Sequence, residues 1–253
     1  MGAKIEYLLF KLVKITVNIL PERLNNSLAR GLGSLLFKLV KKRRKLAIKN
    51  IKGALDYSQA EARSLTKRVF QDVAIKLMET LQLDNWTKSD FNKKIRVEGL
   101  EHLTEAYQQD RGVILFTGHI GNWEILGNYL SALGYPMNAI ARTHQNETIN
   151  QEVLNIRESR GAKVFSRDSR GVRKAFKSLL KREMLLILGD QDAHDDGEFV
   201  EFFNRPASTP TGPVLFAEKT GALIVPVYMM REGNGEYRLL IKEAIKVNKG
   251  ADE

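Results

Sequence analysis

From about residue 95 onward the chain alternates short apolar runs with amphipathic stretches, and this alternation constrains its fold more than any other feature. The runs 112–117, 137–141, 162–165, 184–188, 222–229 and 236–245 are too short for buried helices and rich in branched residues, so they read as strands. The stretches near 123–133, 146–160, 170–181 and 213–220 read as helices. Parallel neighbours need crossovers of a dozen or more residues, and strands covered on both faces become almost continuously apolar. The sequence therefore predicts an α/β fold, a largely parallel central sheet flanked by helices, over residues 91–253. Residues 1–90 read instead as an N-terminal helical, membrane-associating extension. There is no internal repeat, low-complexity segment or flexible linker.

In the helical part, Ser58-Gln-Ala-Glu61 is a capping box opening a long helix that runs to about Leu83. Residues 4–20 form a greasy helix on which Lys4, Lys11, Lys14 and Asn18 share an arc of about 80°, before Pro21-Glu22 stops it. The lysines interrupt the apolar core and no small-x-small site follows, which argues against a cleaved signal peptide. No uninterrupted apolar run of about 18 residues exists, which argues against a spanning helix. A helix lying in the membrane interface with its lysines snorkelling to phosphates fits best, against the competing reading of a helix packed on the domain. A second apolar stretch, 31–40, runs into Lys38, Lys41, Lys42, Arg43, Arg44 and Lys45, with Lys49 and Lys52 beyond. Apolar surface beside a polybasic segment makes a two-signal membrane anchor.

The net charge of +10 favours anionic partners. An anionic membrane surface or an acidic protein suits it better than nucleic acid, because no aromatic residues are interleaved with the basic cluster as a stacking platform. The chain has no cysteine, hence no disulfide, thiol nucleophile or cysteine-ligated metal. A Gly-x-Ser-x-Gly elbow is absent too, which sets aside a serine esterase of the α/β-hydrolase type.

Side chains with chemistry converge after the run 112–117, in His119-Ile-Gly-Asn-Trp-Glu124. Ligands bind at the carboxyl ends of strands in open α/β sheets. Residues five apart on a straight helix lie about 140° from each other. For His119 to meet Glu124, the histidine must therefore sit on the turn and the glutamate in the first helical turn, with Gly121 allowing the bend. A histidine held by a carboxylate is a general base near neutral pH; the plain alternative is a structural pair. Other candidates follow along the chain. Arg142 follows a strand. Arg157 and Arg160, one helical turn apart, can present two guanidinium forks to a phosphate. Asp190, Gln191 and Asp192 follow the run 184–188. A calcium loop starting at Asp190 fails, because Asp195 stands where glycine is required. Thr211-Gly212-Pro213 reads as a helix N-terminus whose free N–H groups can hold an anion or an oxyanion.

Taken together, the blocks His119-x4-Glu124, Arg157/Arg160, Gly189-Asp-Gln-Asp192, Phe202-Phe203, Arg205-Pro-Ala-Ser208 and Pro210-Thr-Gly-Pro213 resemble the lysophospholipid acyltransferase superfamily. Within it, they resemble the lipid A late (lauroyl/myristoyl) acyltransferases over roughly residues 40–245. The resemblance implies transfer of a fatty acyl chain from a thioester, acyl-carrier protein or acyl-coenzyme A, to a hydroxyl of a membrane glycolipid, with no metal or other cofactor. It implies His119 as the base with Glu124 fixing its tautomer. It also implies acceptor contacts from Asn122, Arg142, Arg157, Arg160, Asp190, Gln191, Asp192 and Arg205, and an oxyanion or phosphate contact at Thr211-Gly212. The implied place is the cytoplasmic face of the inner membrane, peripherally or through one N-terminal anchor. Lipid A precursor is the expected acceptor. The alternatives are another glycolipid, such as a phosphatidylinositol mannoside, or a non-catalytic membrane-binding module. Two departures stand out: Gly118 replaces the asparagine often found before the histidine, and Glu124 replaces the commoner aspartate. The aromatic- and arginine-rich C-terminal segment of the family does not follow residue 245, so the expectation is a short member or a fragment.

Overall fold

The computed structural model describes residues 2–248, which divide into two compact units. Among the described residues, one comprises 2–82 and 199–207, the other 83–198 and 208–248.

In the helical unit, α1 (Gly2–Ile19) and α2 (Glu22–Leu39) are separated at Pro21, whose φ of −56° suits the start of α2. The buried Asn25 reaches back from α2 and donates to the Val17 and Leu20 carbonyls, two of the orphan acceptors at the end of α1. Helix α3 (Lys41–Ala54) carries the basic run, and α4 (Gln59–Thr80) opens with the expected reciprocal capping box between Ser58 and Glu61. Helix α2 packs on α4 through Asn25, Ala29, Gly33 and Phe37, spaced four apart. A Cβ on Gly33 would lie 2.4 Å from the Gln71 Cα, so only glycine permits this approach. Most of the leucines point the other way: Leu24, Leu28, Leu32, Leu35 and Leu39 are exposed on α2, as are Leu8, Leu9, Leu12 and Ile15 on α1. No helix among the described residues is long and apolar enough to cross a membrane.

The α/β unit adds α5 (Lys88–Lys94) and β1 (Ile95–Glu98), then α6 (Leu100–Gln108) and β2 (Val113–Thr117). Next come α7 (Trp123–Ala132), β3 (Met137–Ala141), α8 (Glu147–Glu158), β4 (Lys163–Ser166), α9 (Ser169–Leu180) and β5 (Met184–Leu188). A hairpin of β6 (Glu198–Glu201) and β7 (Pro206–Thr209) precedes α10 (Gly212–Thr220), β8 (Leu223–Arg231) and β9 (Tyr237–Ile241). The seven-stranded sheet has the order β1-β9-β8-β2-β5-β3-β4. Its strands from β8 to β4 are mutually parallel, and β9 with β1 runs the opposite way at one edge. The expected α/β fold with a largely parallel sheet is what the chain forms.

The register sets the packing. Ile114 lies level with Leu185 and Ile224, and all three pack against Ala175, Leu179 and Ala217 of α9 and α10. Side chains alternate across the sheet, so Leu115, Leu186 and Val225 face the other way, where Leu186 meets Gly127 of α7. Both faces are thus covered, which accounts for the unbroken apolar run in β2. One consequence decides the site: the carboxyl ends of β8, β2, β5, β3 and β4 all open on a single edge of the sheet.

Candidate active site

The site grows from two neighbouring strand ends. Thr117 of β2 pairs with Leu188 of β5, and the Gly189 N–H donates to the Thr117 carbonyl. Two residues beyond each strand stand His119 and Asp190. One oxygen of the Asp190 carboxylate lies 2.7 Å from His119 Nδ1, and the other accepts the His119 backbone N–H at 2.6 Å. The same carboxylate thus holds both the ring and the main chain of the histidine. Gly118 makes room for it, since a Cβ there would stand 2.8 Å from the Asp190 carboxylate oxygen. With Nδ1 facing an acceptor-only carboxylate, the proton belongs on Nδ1 and the Nε2 lone pair points outward. The Gln191 amide nitrogen lies 3.4 Å from Nε2.

The turn that aims the ring is fixed by its other neighbour, β8. Gly121 has φ +57°, and a Cβ there would collide with the Met229 carbonyl at 1.7 Å. That carbonyl instead accepts the Asn122 N–H. The buried Asn122 then caps α7, its side-chain oxygen accepting from Ile125 N.

Glu124 does not hold the His119 ring, contrary to the expectation from the sequence. It sits in the first turn of α7, where its carboxylate accepts a forked pair of hydrogen bonds from Arg157 Nε and Nη2 and a third bond from Trp123 Nε1. The physical reason is geometric: Asp190 already occupies Nδ1, and Arg157 of α8 offers a fork that matches a carboxylate. Burial alone would lower the Arg157 pKa, but the Glu124 hydrogen bonds and charge outweigh it and raise it above its ordinary value. Trp123 links the two pairs, with its ring 4.7 Å from the imidazole in an edge-on contact and its N–H on Glu124.

Arg157 and Arg160 do not present a joint phosphate clamp either. Arg160 donates to the Asn128 side chain, to Ser159 and to the Trp86 carbonyl, and stacks 5.0 Å over Phe91. Burial lowers its pKa, with the Asp84 charge acting the other way. Asp192 turns into its own loop, accepting the His194 N–H. Arg142 lies at the end of β3, on the same sheet edge as His119. Thr211 and Gly212 open α10, whose chain runs back into β8, so its N-terminus also belongs to that edge; the Thr211 side chain makes no capping bond. Arg205 belongs to the helical unit, where its guanidinium lies over Gly53 of α3. Beside it, exposed Phe202 and Phe203 pack edge to face. The sequence reading missed the pairing of His119 with Asp190 and the bridging Trp123. The matched offset of each residue, two positions past a strand end, becomes a signal for the first only once β5 is known to lie beside β2.

A family model for bacterial lipid A biosynthesis acyltransferases matches residues 4–253. The chain belongs to that family. Among curated lipid A acyltransferases, the Escherichia coli palmitoleoyltransferase is 30% identical over 85% of this chain and 70% of its own length. The E. coli lipid A lauroyltransferase is 28% identical over 88% of the chain and 73% of its own. A phosphatidylinositol mannoside acyltransferase of Mycobacterium tuberculosis is 31% identical over 55% of the chain and 45% of its own length. The chain spans about half the length of the phosphatidylinositol mannoside acyltransferases it matches.

Proposed function

We propose that the protein transfers a fatty acyl chain from an acyl thioester, carried by acyl-carrier protein or coenzyme A, to a hydroxyl of a membrane glycolipid, most directly a lipid A precursor. The observation that carries the reading is the exposed His119 Nε2, backed through Nδ1 by Asp190, at the ligand-binding edge of the sheet in a lipid A acyltransferase family member. Nε2 takes the proton of the acceptor hydroxyl as its oxygen attacks the thioester carbonyl carbon. The tetrahedral intermediate collapses with breakage of the C–S bond, and the imidazolium returns its proton to the leaving thiolate. The products are an ester and a thiol, with no acyl-enzyme. Asp190 stabilises the imidazolium and fixes the tautomer. N–H groups at the start of α10, Thr211-Gly212, are candidates for the oxyanion. Glu124 and Arg157 keep Trp123, and through it the histidine, in place.

Family likeness to the mycobacterial relatives favours a second acceptor, a phosphatidylinositol mannoside. One assay separates the readings: each acyl-carrier-protein and coenzyme A thioester is offered with lipid A precursor or mannoside in mixed micelles. Ester formation on one glycolipid that is lost in His119→Ala supports the proposal. Folded, membrane-bound protein without transfer to either acceptor points to a non-catalytic binding module.

The exposed leucines of α1 and α2 and the basic residues of α3 support peripheral attachment to an anionic membrane surface, in this reading the cytoplasmic face of the inner membrane. Replacing Leu8 and Leu12 together by glutamate is expected to weaken co-sedimentation with anionic vesicles by at least about tenfold, since each leucine contributes about 1.5 kcal/mol or more when buried. Unchanged binding would contradict this attachment.

A further inference from the structure

The same sheet edge carries a concavity beside the His119 site. A cleft of about 340 Å³ lies over the carboxyl ends of β3 and β4 and the first turns of α9. Arg142, Arg157, Arg170 and Lys174 line it, against one acid, Asp168. Three of these cations come from two elements: Arg142 from the end of β3, Arg170 and Lys174 from one turn of α9. Arg157, the fourth, is committed to Glu124 and forms a wall.

The acid offsets only one of the cations, and its carboxylate is turned into the helix end. Asp168 is the N-cap of α9 and accepts the Gly171 N–H at 2.8 Å. That bond, the Ser166 hydroxyl and the nearby Arg170 hold its carboxyl below the ordinary range. The floor is fixed by backbone, because a Cβ on Gly171 would stand 1.8 Å from the Ser166 carbonyl. The result is a preformed hollow with cationic groups converging from several directions. A planar carboxylate is satisfied by one guanidinium fork, whereas a tetrahedral phosphate dianion has oxygens for all of them.

We propose that this cleft binds a phosphate ester carried by one of the two substrates, with Arg142, Arg170 and Lys174 as its ligands. The proposal rests on the acyl-transfer reading for the identity of the substrates, though not for the existence of the site. Sheet order puts β5 between β2 and β3, so the cleft lies roughly 10–15 Å along the edge from His119, two to three strand spacings. A phosphate there is separated from the reacting hydroxyl or thioester by about the length of a sugar unit or a linker arm. Arg157 joins the two places, since it lines the cleft and holds the carboxylate that bonds Trp123 beside the imidazole. The phosphate therefore serves as a distant anchor that orients the reacting end.

The test uses the full chain, wild type and Arg142→Ala/Lys174→Ala, with Arg142→Lys/Lys174→Arg as a charge-preserving control that guards against misfolding. Calorimetric titration with inorganic pyrophosphate is expected to show binding weakened at least about tenfold in the alanine variant and largely kept in the control. Steady-state kinetics then compare acceptor with and without its phosphate, and acyl-coenzyme A with acyl-pantetheine. The alanine variant is expected to raise KM about tenfold for the phosphorylated form of one substrate, with kcat within about twofold, and to lose the preference over its phosphate-free analogue. Loss on the acceptor side identifies a glycolipid headgroup; loss on the donor side identifies the thioester's phosphate. Equal pyrophosphate affinity in wild type and the alanine variant overturns the site. Pyrophosphate binding that depends on these residues, in a wild type that transfers no acyl chain, supports the site and overturns the acyl-transfer reading alone.

Discussion

Two carboxylate pairs, bridged by Trp123, share this sheet edge and are built for opposite ends. In the His119–Asp190 pair both side chains are more than a third exposed, at 37% and 39%. In the Glu124–Arg157 pair they are 14% and 25% exposed, and the contact is forked, with a third bond from Trp123. The first leaves one nitrogen of a titratable ring facing outward, where it can exchange a proton. The second joins a group that does not deprotonate in proteins to a carboxylate whose oxygens are already occupied, so it holds shape rather than moving protons. Proximity of a carboxylate to the histidine along the chain was therefore a poor guide to which carboxylate serves it.

That contrast breaks first at His119. His119→Ala is expected to lower kcat/KM by about 10³-fold, within the usual range for loss of a general base, while the thermal midpoint stays near wild type because the ring is exposed. A loss of activity matched by a collapse of stability would merge the two pairs into one structural unit. Asp190→Asn comes next, at about 10²-fold: its amide oxygen can still accept the His119 N–H, but the tautomer is no longer fixed. Gly118→Ala is expected to cost about tenfold in kcat/KM, because the new methyl group pushes on the Asp190 carboxylate. Glu124→Gln has the smallest effect on turnover, below about tenfold, but removes about 1–3 kcal/mol of stability by leaving Arg157 half-buried beside a neutral amide. Chemical denaturation alongside kinetics checks this ordering; a Glu124→Gln enzyme that is stable yet inactive would reverse it.

Much of the fold was legible because its strands are apolar and its crossovers amphipathic: the runs 137–141 and 184–188 coincide with β3 and β5. Strand β1, four residues of alternating character, and the β6–β7 hairpin were missed because so few residues carry no clear period. Helix α2 reads differently. Its packed face is made of Asn25, Ala29, Gly33 and Phe37, while Leu24, Leu28, Leu32, Leu35 and Leu39 lie outside, so most of its large apolar residues mark the exposed side. At the site, Gly121 and the capping Asn122 followed from local turn chemistry. The partnership of His119 with Asp190 did not, because it depends on β5 lying beside β2, and strand order is a long-range property that local spacing does not encode. The partners of Arg157 and Arg160 were hidden for a similar reason: Glu124, Asn128 and Trp86 come from distant parts of the chain.

The most direct test of the central claim, that Asp190 and not Glu124 governs the base, is the protonation of the two His119 ring nitrogens. Histidine-labelled protein studied by ¹⁵N magnetic resonance in wild type, Asp190→Asn and Glu124→Gln measures it across a pH series. The account predicts the Nδ1-protonated tautomer in wild type and Glu124→Gln, and a mixture in Asp190→Asn. A tautomer untouched by Asp190→Asn but changed by Glu124→Gln would contradict it.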